Sequence, residues 1–298
     1  MTSWLMASES SSPYHLAAIY TATSLTETPF AMFYLRLDEN SLMLAAHHRS
    51  SQSESEGRTP VCLQQALSPT LPLEQQLRQL RAGHPTFARS ASMQVLVVGP
   101  STLVPLAEFD EEQCENIYRF CVLSEEKSKS RLRVFYDLLP SSNLALLFAL
   151  NEEKCQAIEA EFGEVYYVSH ITAPLRHLSG KVNPMHRHRV YLHCRETAVD
   201  IAIFEDQRLL ALNTFPTLTV KDAAYYTFAL MQTLGLTPDA TPIATYGCET
   251  VCEATTRELQ KYAPQTGQLY AIAEHHRHPV AQIEGIPFDF ATQIIQSK

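Results

Sequence analysis

Tyr191–Gln207 reads YLHCRETAVDIAIFEDQ: an alternating apolar run, a polar turn at Arg195–Thr197, and a second apolar run. Period-two alternation sends successive side chains to opposite faces of a strand, and a short polar break between two such runs makes a hairpin. Downstream, Leu209–Asn213 predicts a third strand and Lys221–Leu234 a helix. Pro242–Tyr246 then predicts a strand, Thr250–Tyr262 a helix, Leu269–Ala273 the strand that closes the sheet, and Pro287–Gln296 a final helix.

Upstream the same rhythm occurs. Tyr14–Thr23, Phe30–Leu37 and Leu42–His48 predict strands joined by SLTETP and DENS, and Ser50–Pro72 predicts a mobile insertion. Leu73–Ala82 predicts an amphipathic helix ended by Gly83 and Pro85; Met93–Val98 predicts a buried strand stopped by Gly99-Pro100. Asp110–Phe120 predicts a helix with acids at its positive end. Strands at Arg131–Leu138 and Asn143–Leu150 follow, then a helix at Glu152–Phe162, a strand at Val165–Ser169 and a helix at Ala173–Leu178. Gly180–Pro184 marks a boundary.

LRLDENSLML (Leu35–Leu44) is self-similar to AIFEDQRLLAL (Ala202–Leu212), each a strand, an acidic turn and a strand. Three meandering strands, a helix, a strand, a helix and a strand, given twice, predict an α/β chain with mixed sheets. The fold class is a duplicated ribonuclease-H-like, actin-like ATPase fold with lobes at 1–181 and 182–298.

Bulk properties narrow the function. At 298 residues the chain buries a large core without a metal or disulfide. A net charge of −9 opposes nucleic-acid binding and anionic membranes, which need basic surface. No apolar run approaches the roughly 20 residues of a spanning helix, and the first residues, MTSWLMASESSSPY, lack a signal peptide's basic and apolar regions. Seven scattered cysteines, an odd number, fit free thiols in a reducing cytoplasm.

VVGPSTLVPLAEFDEEQ (97–113), VFYDLLPSSNLALLFAL (134–150), GEVYYVSHITAPLRHL (163–178) and IEGIPFDFATQII (283–295) resemble the domain of unknown function 3822 family of Bacteroidetes. TLVP-x-x-x-FD and FYDLLP-x-SN are the most specific segments. The resemblance implies a cytoplasmic bacterial protein with two actin-like lobes, related in shape to actin-like proteins of pilus assembly and cell division. It carries no established activity and no catalytic residues.

An actin-like ATPase offers hairpin amides to phosphates, a carboxylate to Mg²⁺, and glycines where backbone approaches adenosine. The expected first hairpin, ATSLTETPF, has neither Asp nor Gly and places Pro29 where a donor is needed; HCRETAVD has no Gly. Only TYGCET (245–250) keeps one glycine between a strand and a helix. A ribonuclease-H-like nuclease fails too, because neither YHLAAIYTAT nor VYLHCR has a central acid.

His47-His48, MHRHR (185–189), EHHRHP (274–279) and Cys248-x-x-x-Cys252 lack the closed spacings of a zinc site and are read as surface groups. Ser169-His170 and Ser141-Ser142 are read as turn and cap residues, and Asp137 as a turn carboxylate. No G-x-S-x-G element occurs.

The expectation is a non-catalytic, cytoplasmic pseudo-ATPase that acts on protein partners as scaffold or adaptor, with no cofactor, metal or catalytic residue. STLVPLAEF (101–109) and Ser50–Pro72 are the candidate partner surfaces, set against a buried strand and a plain loop. The alternative is a regulator that binds nucleotide or a small molecule between the lobes without hydrolysis. Its cleft candidates are Thr26, Arg195, Glu196, Thr197 and Gly247, with Ser24–Thr28 facing the second hairpin.

Overall fold

A computed structural model describes residues 15–16, 32–47, 60–83, 87, 92–122, 131–181 and 183–297. In chain order the first part contains β1 (His15–Leu16), β2 (Met32–Leu37), β3 (Ser41–His47), β4 (Val61–Ala66), α1 (Leu73–Ala82), β5 (Met93–Val97), β6 (Ser101–Pro105), α2 (Cys114–Val122), β7 (Leu132–Leu139), β8 (Leu144–Asn151), α3 (Glu152–Phe162), β9 (Val165–Ser169) and α4 (Thr172–Ser179). The second contains β10 (His188–Cys194), β11 (Ala198–Glu205), β12 (Arg208–Pro216), α5 (Val220–Thr233), β13 (Ile243–Gly247), α6 (Glu249–Gln260), β14 (Thr266–Gln268), α7 (Ala271–Glu274) and α8 (Phe288–Gln296).

Two five-stranded sheets share one topology. The first runs β4-β3-β2-β5-β9 and the second β12-β11-β10-β13-β14. In each, the first three strands form an antiparallel meander, and the last two add in parallel beside its first strand. A third sheet, β1-β7-β8-β6, is built from the segments around β9 of the first half. The predicted duplicated, mixed α/β architecture is present.

Several predicted elements are corrected. The first sheet starts at β2, so its leading hairpin is Leu37–Ser41. Of Tyr14–Thr23 only His15–Leu16 is described, and it joins the third sheet beside β7; Ala22–Phe30, the expected hairpin, lies outside the described residues. Val61–Ala66, expected within a mobile loop, is the meander's third strand, paired along its length with β3. Shifting the start by one strand also re-pairs the repeat: LRLDENSLML is the first hairpin of its sheet, AIFEDQRLLAL the second of its own. The true equivalents are the turns Asp38–Asn40 and Arg195–Thr197.

Leu269–Ala273 does not close the second sheet; β14 does, and α7 begins at Ala271. The helix expected from Asp110 opens with a tight turn, Glu111–Gln113, which Asp110 caps by accepting the Glu112 amide at 2.9 Å. Within the candidate partner surface Ser101–Phe109, Ser101–Pro105 is β6, paired with β8 and burying Val104.

Strand alternation builds the cores. Phe33, Leu35, Leu42, Leu44, Met93 and Val95 face α1, α3 and the third sheet. The opposite face of the first sheet, with Tyr34, Met43 and Leu96, is covered by Phe290, Ala291 and Ile294 of α8. In the second sheet Val190, Leu192, Val199 and Ile201 pack on α5 and α6, whereas Tyr191, Ala202 and Phe204 face α4. Helices α4 and α8 thus fill the space between the two sheets. Among the described residues no helix is long and apolar enough to cross a membrane.

Candidate functional site

The leading hairpins of the two sheets meet tip to tip. Asn40 donates to the Glu196 carboxylate at 2.8 Å, and the Thr197 hydroxyl donates to Glu39 at 2.9 Å. Behind them lies a cavity of about 810 Å³, bounded by both hairpins, the start of α6 and residues 281–288. Its wall carries five acids, Asp38, Glu39, Glu196, Glu249 and Glu284, with Met43, Tyr270 and Phe288 as apolar lining.

Arg36 and Arg195 reach the same wall but are already paired. Arg36 occupies the α8-facing side of β2 and donates to Asp289 at 2.9 Å and Asp38 at 3.0 Å. Burial opposes its charge, but the two carboxylates outweigh burial and raise its pKa. Arg195 holds both oxygens of Asp200 through Nε at 3.1 Å and Nη2 at 3.0 Å. Burial would raise the Asp200 pKa; Arg195, His170 and His193 instead hold it well below the usual carboxylate range.

Register explains Asp200's neighbours. His193 on β10 is directly opposite Asp200 on β11, both on the face turned to α4. His193 Nδ1 and His170 Nε2 each lie 3.0 Å from Asp200 Oδ2, and the Thr214 hydroxyl donates to Oδ1 at 2.6 Å. His170, where β9 turns into α4, has its Nδ1 3.1 Å from the Val97 carbonyl. His193 stacks on Tyr246 at 5.0 Å, and its Nε2 is 3.8 Å from Asp289. This buried set joins β2, β5, β10, β11 and α8.

Of the predicted cleft residues, Arg195, Glu196, Thr197 and Gly247 do meet at the cavity, while Thr26 lies outside the described residues. Asp38–Ser41 face them across the cavity, and Ser24–Thr28, the expected partners, lie outside the described residues. Gly247 has φ +120°, and a Cβ there would stand 2.4 Å from the Cys194 carbonyl oxygen. The glycine therefore serves close strand packing.

Ser169-His170 does form the turn into α4, with the Ser169 hydroxyl accepting the Ile171 amide at 3.4 Å, and His170 belongs in addition to the buried set. Asp137 accepts the Ser169 amide at 2.9 Å and the Thr172 hydroxyl, so it fixes the start of α4. Among the described residues the histidines of the two later runs stay dispersed: His186 contacts the Ala240 carbonyl, His188 Glu205 and His275 Thr292. All seven cysteines are free thiols, and Cys252 packs on Cys194. Arg36, His193, Asp200 and Asp289 escape the sequence reading; the available signal is a charged residue inside each apolar strand or helix, as in MFYLRL.

Comparison with known proteins agrees with the architecture. A Bacteroides thetaiotaomicron crystal structure, described as having an actin-like ATPase fold and unknown function, superposes with a TM-score of 0.68 at 20% identity, over 81% of this chain and 91% of that one. The PilM-PilN type IV pilus biogenesis complex superposes with a TM-score of 0.51 at 15% identity, over 89% of this chain and 97% of the matched chain. No curated protein matches. Residues 21–266 match the family described as protein of unknown function (DUF3822), and the chain belongs to that family, on an actin-like ATPase fold.

Proposed function

We propose that this is a non-catalytic, cytoplasmic actin-like protein, a pseudo-ATPase that works by binding protein partners as scaffold or adaptor. The observation carrying this reading is the direct bonding of the hairpin tips, Asn40 to Glu196 and Thr197 to Glu39. Those turns are where an actin-like ATPase receives phosphates; here they contact each other and present acids. The two nearby guanidiniums are committed to Asp38, Asp289 and Asp200. A phosphate chain would meet like charge and, among the described residues lining the cavity, no free cation. In this reading the lobes are 1–181 and 182–298. The PilM-PilN complex named above holds a chain of this shape together with a protein partner.

Calorimetry with Mg²⁺-ATP and Mg²⁺-ADP tests the reading. Silence at millimolar nucleotide is expected, whereas micromolar binding with Mg²⁺-dependent turnover refutes it. A second reading, a regulator that binds a small molecule, is favoured by the size and mixed lining of the 810 Å³ cavity. A thermal-shift screen of metabolites separates the two, because saturation at 100 Kd stabilises by about 2.7 kcal/mol.

A further inference from the structure

We propose that His170, His193 and Asp200 form a binding site for one divalent transition-metal ion of the zinc type at the junction of the two sheets. One ring nitrogen of each histidine and a carboxylate oxygen of Asp200 lie within 4.8 Å of one another, and His170 Nε2 and His193 Nδ1 are each 3.0 Å from Asp200 Oδ2. Ligand bonds of about 2.0–2.2 Å around zinc give neighbouring donors separations of about 3–3.5 Å.

With a neutral ring, hydrogen bonding alone does not satisfy this group. A neutral imidazole carries one N–H, yet both nitrogens of His170 face oxygen: Nδ1 the Val97 carbonyl, Nε2 the Asp200 carboxylate. The carbonyl only accepts, so a proton on Nδ1 leaves a lone pair on Nε2 against an anionic oxygen. A second proton on the ring would satisfy both contacts, and a metal ion held between the three donors is the other way to satisfy them. Asp200 Oδ2 is also oversubscribed, since Arg195 Nε already donates to it at 3.1 Å. One cation at the meeting point of three lone pairs replaces two competing hydrogens.

The surroundings resemble those of a held metal ligand set. His170 is oriented by the Val97 carbonyl, and Asp200 by Arg195 and Thr214. With Nδ1 on the ion, His193 turns its other nitrogen, otherwise unpartnered, toward Asp289 at 3.8 Å. Two imidazoles and one carboxylate suit zinc, cobalt or nickel, with water completing the shell.

The test is elemental analysis of the full chain, followed by titration of chelator-treated protein with Zn²⁺ and Co²⁺. About one metal per chain is expected, with a rise in Tm that saturates at that ratio and a tetrahedral-type Co²⁺ spectrum. His193→Ala and Asp200→Asn should abolish all three. Because loss of a buried partner can unfold those variants, imidazole ¹⁵N spectra of the metal-free wild type give an independent reading. Absence of metal, no Tm response to Zn²⁺, and protons on both nitrogens of His170 would overturn the proposal and assign the place to a proton.

Discussion

Gly247→Ala separates a structural glycine from one kept for a ligand. The residue ends β13 with φ +120°, and an added Cβ would stand 2.4 Å from the Cys194 carbonyl oxygen and 2.8 Å from His193 Cδ2. The carbonyl cannot swing away, because it accepts the Cys248 amide at 2.9 Å. Left-handed strain costs about 1–2 kcal/mol, overpacking about 1–3 kcal/mol, and the hydrogen bond broken by strand separation about 1 kcal/mol. The sum, about 3–6 kcal/mol, is a large part of a typical stability of about 5–15 kcal/mol.

Gly163→Ala is the control. Gly163 has φ +80°, and nothing lies within 4 Å of the Cβ that alanine would add, so only the backbone strain of about 1–2 kcal/mol applies. Urea denaturation of both variants measures the difference. If Gly247→Ala loses no more than Gly163→Ala, close strand packing does not explain the glycine, and the cleft reading gains instead.

Arg36→Met leaves the buried Asp289 charge without its guanidinium and should cost about 3–5 kcal/mol, whereas Asp289→Asn leaves Arg36 its bond to Asp38 and should cost less; a double-mutant cycle by denaturation should find the pair strongly non-additive, and additivity refutes the pairing. Asn40→Ala or Glu196→Ala removes only an exposed contact, worth under about 1 kcal/mol. Hydrogen exchange should nevertheless quicken in both hairpins, 37–41 and 195–197; an effect confined to the mutated hairpin argues against tip contact. Burial raises Asp137 from 3.8 to about 6. Its contribution to stability is full below pH 3.8 and is lost as pH rises through about 6, so Asp137→Asn should flatten the stability curve across that window.

Periodic elements are readable because each hides one apolar face: α1, α3, β9 and the β10–β11 hairpin come directly from their patterns. VCLQQA is not, since an edge strand needs little apolar content and this one follows a serine-rich run. Without that strand the repeat starts one element too early, and ATSLTETPF takes the place that belongs to Asp38–Asn40. The buried charges are illegible for another reason. Arg36, His193 and Asp200 sit at strand positions that look like isolated polar interruptions. Only cross-strand register and the return of α8 bring them together, and neither is a local property of sequence.

The return of α8 also sets a timetable for biosynthesis. Tyr34, Met43 and Leu96 need Phe290 and Ile294 to cover them, yet their sheet is complete once β9 ends at Ser169, well before Phe290 is made. At about 5–20 residues per second the interval between Ser169 and Phe290 is roughly 6–24 s. Throughout it, one side of a finished β-sheet stays bare, so a nascent chain of this protein is a natural client for a chaperone, and shortening the chain before α8 would make that dependence permanent.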